Sequence, residues 1–443
     1  MRTTHFASIS AIAIFQLVTS APADTLIHIT GSTTFRKATV TAIKNVMGGS
    51  GNFKAAYDSR DSGGNGESGA NYVILQGIVA AVPSAGLVTV KCSWVGSTGG
   101  VRMLVQNLNI PNKGWMSISN LPTTNTIVPV GNPSYSLDIT NFPNENYLAD
   151  IAMSECSQAS TGFNTPTLTE NRVAVVPFEW VANNGSPQIT LLTMTPLLAQ
   201  ALLSGGMPLS QFTRDPADSG VTVYALGRDF NSGTRLSCLA EVGIPFRGSV
   251  QHIQPQITGT AGASDSSVNA LKLWPAATVL GENFPIGASG FASGGTLADI
   301  LATPNSSTAA TPSGADGVQF GPGWLVAYLG RDDAARACKT TNISNNTAHR
   351  MRWNGYTDWE GGIQSNGYPN TYKDVSIQEG AYTAWEYEYL YYRSNYSGNG
   401  KLIADTISSQ LLLNTPSPTG IKLSTMNVSR PVEGGLVTYG NPY

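Results

Sequence analysis

Three times in this chain an apolar, strand-like run ends in a turn of Gly, Ser and Thr that opens a helix. That unit restricts the fold more than any other feature. Leu26 to Thr30 leads into Gly31-Ser32-Thr33-Thr34-Phe35 and a helical spacing over Phe35, Ala38, Ala42 and Val46. Leu87 to Val95 leads into Gly96-Ser97-Thr98-Gly99-Gly100 and a short helix from Val101. Val221 to Leu226 leads through Gly227-Arg228-Asp229-Phe230-Asn231-Ser232-Gly233 into a helix from Thr234 to Gly243. Strand, turn and helix in alternation specify α/β lobes with largely parallel sheets. In such a sheet the strand ends share one edge, so the three turns can face one crevice.

The rest of the chain is read around this frame. Gly48 to Ala70, rich in Gly, Ser, Asn and Asp, reads as a loop insertion. Tyr147 to Met153 is an apolar segment ending at Ser154-Glu155, Arg172 to Val181 is strongly strand-like, and Ile189 to Leu203 is apolar enough for a buried helix. Ser293-Gly294-Gly295 precedes a helix from Thr296 to Leu301, and the strand Gly323 to Leu329 is followed by a helix from Asp332 to Cys338. The aromatics of Tyr382 to Tyr392 alternate as one face of a strand, where packing explains them better than a stacking platform for bases or sugars.

Composition excludes several functions. The first 23 residues have the form of a secretory signal, with Arg2, an apolar run from Ala11 to Val18 and a small-residue cleavage site at Ala21-Pro22-Ala23. The mature chain is expected to begin near Asp24 as an exported, non-spanning protein, since no segment approaches a transmembrane length and no lipid-anchoring cysteine follows the apolar run. Charged residues make up 12% and the net charge is -3, which leaves no basic stripe for nucleic acid. The four histidines are scattered, and Cys92, Cys156, Cys238 and Cys338 lie far apart with no CxxC pair, so neither a metal site nor a cofactor is expected. In an oxidising compartment the cysteines would allow two disulfides, in any of three full pairings.

The third turn carries the clearest chemistry. Arg228 supplies planar, permanently charged donors, Ser232 and Thr234 supply hydroxyls, and Gly233 lets backbone N–H groups approach a ligand at the positive end of a helix. That is the equipment for gripping a small oxyanion. A surface turn capped by Ser232 is the competing reading of the same residues.

With these turns in order, the chain resembles the phosphate-binding proteins of bacterial ABC importers, the two-lobed periplasmic receptors. Gly31 to Phe35 resembles that family's G-x-x-T-F turn, Gly96 to Val101 its G-S-S-G-G-V turn, Asp150 to Glu155 its D-F-G-A-S-D segment, and Arg228 to Thr234 its R-x-D-G-S-G-T turn. The resemblance implies an α/β, type II periplasmic-binding-protein architecture with a hinge between lobes. It assigns 24–172 plus 379–443 to lobe 1 and 173–378 to lobe 2, with hinges near Val173 and Gly380. It implies phosphate ligands at Thr34, Phe35, Ser97 and Glu155 from the first lobe and at Arg228, Ser232, Gly233 and Thr234 from the second.

Glu155 stands where the family has aspartate, and Phe230 and Asn231 replace an Asp and a Gly. In this scheme Glu155 accepts the proton that phosphate still carries near neutral pH, Arg228 offsets the ligand's charge and holds Glu155, and fully ionised sulfate is turned away. The implied protein is a monomeric binding protein, not an enzyme, delivering phosphate or a related oxyanion to importer membrane subunits from the periplasm or outside the cell. A receptor for another oxyanion or a phosphorylated solute, and a surface interaction protein on the same fold, are the alternatives. A secreted phosphatase fits less well, because the sequence offers neither a metal-holding cluster nor an activated nucleophile.

Overall fold

The computed structural model describes residues 24–59, 66–108, 114–131, 147–183, 193–263, 266–279, 282–303, 323–339 and 348–440. The expected signal segment lies outside them.

The frame is one mixed sheet with helices packed on it. Its strands are β1 (Thr25–Gly31), β2 (Phe53–Asp58), β3 (Tyr72–Ile78), β4 (Leu87–Ser93), β5 (Ile127–Val130), β6 (Ile151–Ser154), β7 (Leu168–Ala182), β8 (Met207–Pro208), β9 (Thr222–Ala225), β10 (Gly323–Gly330), β11 (His349–Arg350) and β12 (Trp385–Arg393). They run in the order β5-β2-β3-β4-β1-β6-β12-β7-β10-β9-β8, with β11 also on β7. The longer helices are α1 (Arg36–Val46), α2 (Ser97–Gln106), α3 (Pro196–Leu203), α4 (Gly233–Glu241), α5 (Gly294–Ala302), α6 (Arg331–Ala337) and α7 (Gly398–Asn414).

The strands that carry the turns pair in parallel: β1 with β4 and β6, and β9 with β10. The sheet as a whole is mixed and not largely parallel, because β3, β7, β8 and β12 run against their neighbours. The fifteen-residue β7 joins the two halves. Its first part pairs with β12 through Pro177 and its end, from Phe178 to Ala182, pairs with β10. In the first half α1, α2 and α7 cover the sheet, and in the second α5 and α6 pack together against β10. The apolar contacts include Ile27, Ile29, Val90, Ile151 and Ile403 in one core, and Leu297, Leu301, Leu325 and Leu329 in another.

Four expectations need correction. Within the supposed loop 48–70, Phe53–Asp58 forms β2 between β3 and β5; Phe53, Ala55, Ala56 and Asp58 are buried, and the Gly/Ser flanks hid them. Helix α2 begins at Ser97 and not at Val101. Gly99 and Gly100 belong to its first turn, where side chains would press on Asn231 and on the Gly31 backbone, 3.0 and 2.7 Å away. Helix α3 begins at Pro196, with Thr195 Oγ1 accepting from Leu198 N at 3.3 Å, so only part of Ile189 to Leu203 is helical among the described residues. All four cysteines are buried free thiols.

The aromatic face of β12 is packing. Trp385, Tyr387, Tyr389 and Tyr391 pack along the strand with successive ring centroids 5.3, 6.4 and 5.6 Å apart, the first two pairs edge to face and the last stacked. None is more than 3% exposed, so no base or sugar reaches them.

Candidate functional site

Two glycines let the turns converge. Gly31 (φ +107°) and Gly96 (φ +95°) sit in the left-handed region, and a Cβ on either would overlap a carbonyl, that of Met153 or of Asn231. With none present, Gly96 N donates to Gly31 O at 2.8 Å, Ser32 N to Met153 O at 2.8 Å, and Gly99 N to Asn231 O at 3.1 Å. The first two turns and the end of β6 therefore lie backbone to backbone, with the third turn resting on α2. Asn231 works through its carbonyl. Phe230 stacks on Phe284 and carries the Arg235 guanidinium 4.2 Å from its ring centre.

At the meeting point sits Glu155, 1% exposed. Its Oε1 accepts from Thr234 Oγ1 at 2.9 Å, its Oε2 accepts from Ser97 Oγ in a short bond, and Thr234 Oγ1 lies 3.0 Å from Thr34 Oγ1. Three hydroxyls from three separate turns thus gather around one carboxylate. Gly233 closes the arrangement: an added Cβ would lie 2.7 Å from Ser97 Cβ and 2.9 Å from Glu155 Cδ. The N-terminus of α4, with its positive partial charge, is seated on the carboxylate.

Arg228 is 2% exposed and reaches Thr33, the neighbour of Thr34. Its Nε donates to Phe291 O at 3.0 Å, and its Nη2 to Ala292 O at 3.0 Å and Thr33 Oγ1 at 3.2 Å. The expectation that Arg228 holds Glu155 is not met; main-chain carbonyls and Thr33 orient it. Its Nη1 is buried with no hydrogen-bond partner. Such an orphaned charged donor costs free energy unless something occupies it, which makes it the strongest local sign of a ligand.

The remaining expected ligands have structural duties here. Ser232 is the N-cap of α4, its Oγ accepting from Arg235 N at 3.2 Å, so the cap of the competing reading is present, but at 1% exposure the turn is not a surface one. Phe35 N donates to Ser32 Oγ at 3.0 Å, and the Phe35 ring is buried in the core. The structure brings Thr34, Ser97, Glu155, Gly233 and Thr234 into one cluster with Arg228 beside it, and commits the Phe35 N–H and the Ser232 hydroxyl elsewhere.

Sequence reasoning missed Thr33, which holds Arg228, and Glu388, which lies fully buried on β12. Burial, and then the charge of Glu155, raise the Glu388 carboxyl well above its usual pKa, against the lowering pull of the Ser32 hydroxyl and the Ser154 N–H. A buried acid thus underlies the first turn. Sequence reasoning read the Ser293-Gly294-Gly295 turn as a helix start but not as a neighbour of the site, where Ser293 Oγ accepts from Gly295 N at 3.2 Å beside Arg228. A fourth Ser/Gly turn opening a helix was the signal for that one. Among the described residues no group of three or more His, Cys, Asp and Glu is placed to hold a metal, and no helix is long and apolar enough to cross a membrane.

No family model and no curated protein matches the chain. Among solved structures it is similar to an ABC-type phosphate transport receptor from Vibrio cholerae, at 11% identity and TM-score 0.38 over 88% of this chain and 98% of that one. It is similar to PstS from Borrelia burgdorferi at 12% identity and TM-score 0.32, over 87% and 97% of the two chains. It is also similar to a human phosphate-binding apolipoprotein at 9% identity and TM-score 0.39, over 94% and 91%. The side chains themselves have to carry the case for a ligand.

Proposed function

We propose that this chain is an exported solute-binding protein that captures inorganic phosphate at the Thr34, Ser97, Glu155, Arg228, Gly233 and Thr234 cluster and hands it to an ABC importer. The observation that carries the reading is a buried acceptor-only carboxylate ringed by rotatable hydroxyls, with an orphaned guanidinium donor beside it. Hydroxyls that now donate to Glu155 can turn to donate to an anion's oxygens. Glu155, so released, accepts the ligand's own proton, and Arg228 Nη1 balances the charge. An anion without a proton would meet the carboxylate as a like charge.

The reading is one of binding and not turnover, with the hydroxyls acting as donors and Glu155 as acceptor to the ligand. Ligand groups come from both halves of the sheet, so capture and release proceed by a hinge where β7 and the segment before β12 pass between halves.

The test is calorimetric titration of refolded, phosphate-stripped protein with phosphate, repeated with Arg228→Ala and Thr234→Val. Saturable heat in wild type, lost in Arg228→Ala and weakened at least tenfold in Thr234→Val, is the expected result. Absence of phosphate heat in folded wild-type protein overturns the proposal.

A further inference from the structure

Arg235 stands on the core side of α4. Cys238 and Leu239, three and four residues further on, line the same small cavity as it does, so a permanently charged side chain occupies a position that the helix period gives to the core. The residue is 3% exposed. The cavity, of about 20 Å³, lies between α4 and the strands β7 and β10, which supply Trp180 and Tyr328, and His252 also lines it. Arg228 and Thr234 reach it from the phosphate cluster, but among the described residues no Asp or Glu does.

The donors there outnumber their acceptors. Arg235 Nη1 donates to Arg228 O at 3.0 Å, which ties α4 to the third turn. Its Nε and Nη2 are buried without a hydrogen-bond partner, and so is Nε1 of Trp180. The Phe230 ring, 4.2 Å from the guanidinium carbon, covers one face of the group and answers none of its edge N–H donors. Three buried N–H donors, from α4 and β7, are thus unanswered on residues that line one cavity, and two of them carry charge.

The charges agree with this. Burial pulls the Arg235 pKa down to about 10 against the opposing pull of Asp229 and Cys238. Burial and then Arg235 hold His252 near 3, so its imidazole is neutral, with Nδ1 2.9 Å from Ser289 O. A cation enclosed by N–H edges, aromatic rings and a neutral imidazole favours an anion as its companion. The space is that of about one water molecule, too small for a tetrahedral oxyanion. A water would answer the donors and leave the charge unbalanced.

We infer that this cavity is a binding site for one monatomic halide, chloride, held by Arg235 Nε and Nη2 and by Trp180 Nε1. The ion answers three donors at once and supplies the counter-charge that no acid lining the cavity provides. By fixing the Arg235 guanidinium it also steadies the bond to Arg228 O, and with it the turn that carries Arg228. The site is distinct from the phosphate cluster and stands whether or not that cluster binds phosphate.

The test has two readouts, chloride NMR line broadening in solution and the anomalous signal of crystals soaked in bromide, each on folded wild type, Arg235→Met and Trp180→Phe. Expected in wild type are saturable broadening that bromide reverses and one anomalous peak bounded by Arg235 and Trp180. Arg235→Met should lose both. Trp180→Phe, which keeps an aromatic ring and removes one donor, should bind the halide about fivefold more weakly. Saturating phosphate should leave both signals in place. A wild-type cavity that shows no bromide peak overturns the site, as does a halide signal that survives in folded Arg235→Met. If Arg235→Met does not fold, unweakened halide binding in Trp180→Phe overturns it. A signal that phosphate displaces puts the ion in the phosphate cluster and overturns the separate site.

Discussion

Gly233→Ala separates a seated helix N-terminus from an ordinary exposed turn, because the two situations give opposite signs. In an open first turn, alanine is favoured over glycine by up to about 1 kcal/mol of helix propensity. Here the new methyl would sit 2.7 Å from Ser97 Cβ, 2.8 Å from Ser97 Oγ and 2.9 Å from Glu155 Cδ. Ordinary contact begins near 3.4 Å, so Ser97 or α4 must retreat by about 0.7 Å (3.4 minus 2.7). Overpacking of this kind costs about 1–3 kcal/mol, which exceeds the propensity gain. A shift of that size also breaks the Ser97 and Thr234 bonds to Glu155. The expected outcome is a lower denaturant midpoint at unchanged slope, and phosphate affinity reduced at least tenfold. Gly220→Ala, at a position with open space around it, is the control and should change stability by no more than about 0.5 kcal/mol. A Gly233→Ala protein as stable as wild type, with unaltered binding, would refute the packing of α4 on Glu155.

Glu388→Gln tests the buried acid. Burial, then Glu155, raise its pKa well above the ordinary 4.5, so the folded chain keeps a proton that the unfolded chain releases. That stabilisation is complete below the unfolded value and is lost as pH rises toward the folded one. The variant should therefore be more stable than wild type near neutral pH, with the difference vanishing toward pH 4 in denaturation curves; a pH-independent loss contradicts it. Arg350→Met leaves Glu179, paired at 2.6 Å with both side chains almost wholly buried, without its partner, and should cost about 3–5 kcal/mol, with Glu179→Gln in the same chain recovering much of it. Burial raises the thiol pKa of all four cysteines, to about 11 for Cys338. None should react with an aromatic disulfide reagent in the native protein and all four should react once it is unfolded; fewer than four on unfolding would show a disulfide.

What the sequence revealed was local chemistry joined to a strong period. The helix after Ser232 was legible because an N-cap, a glycine and an apolar pattern coincide there, and the two strand–turn–helix units around Gly31 and Gly96 were legible from a glycine turn between two apolar periods. Strand β2 was hidden because two small alanines and polar neighbours give it little apolar contrast, and only β3 and β5 supply its burial. Strand direction was not legible either: β7 and β12 run antiparallel to their neighbours because of where the chain returns, and no residue in them states it. In the site, residue type singled out Arg228 and Thr234 and the family resemblance singled out Glu155, whereas their partners depend on tertiary contacts. Arg228 turns to carbonyls and Thr33, and Glu155 to two hydroxyls, because the turns interlock through backbone bonds that sequence spacing does not express.

The account stands on Glu155 reading a proton that the ligand brings. The most direct measurement is sulfate against phosphate affinity near neutral pH, in wild type and in Glu155→Gln. Wild type should bind phosphate and reject sulfate, and the glutamine, which carries no charge and can donate, should admit sulfate while weakening phosphate. Sulfate bound by wild type as tightly as phosphate, or a Glu155→Gln protein that still rejects sulfate while binding phosphate as before, would contradict the account.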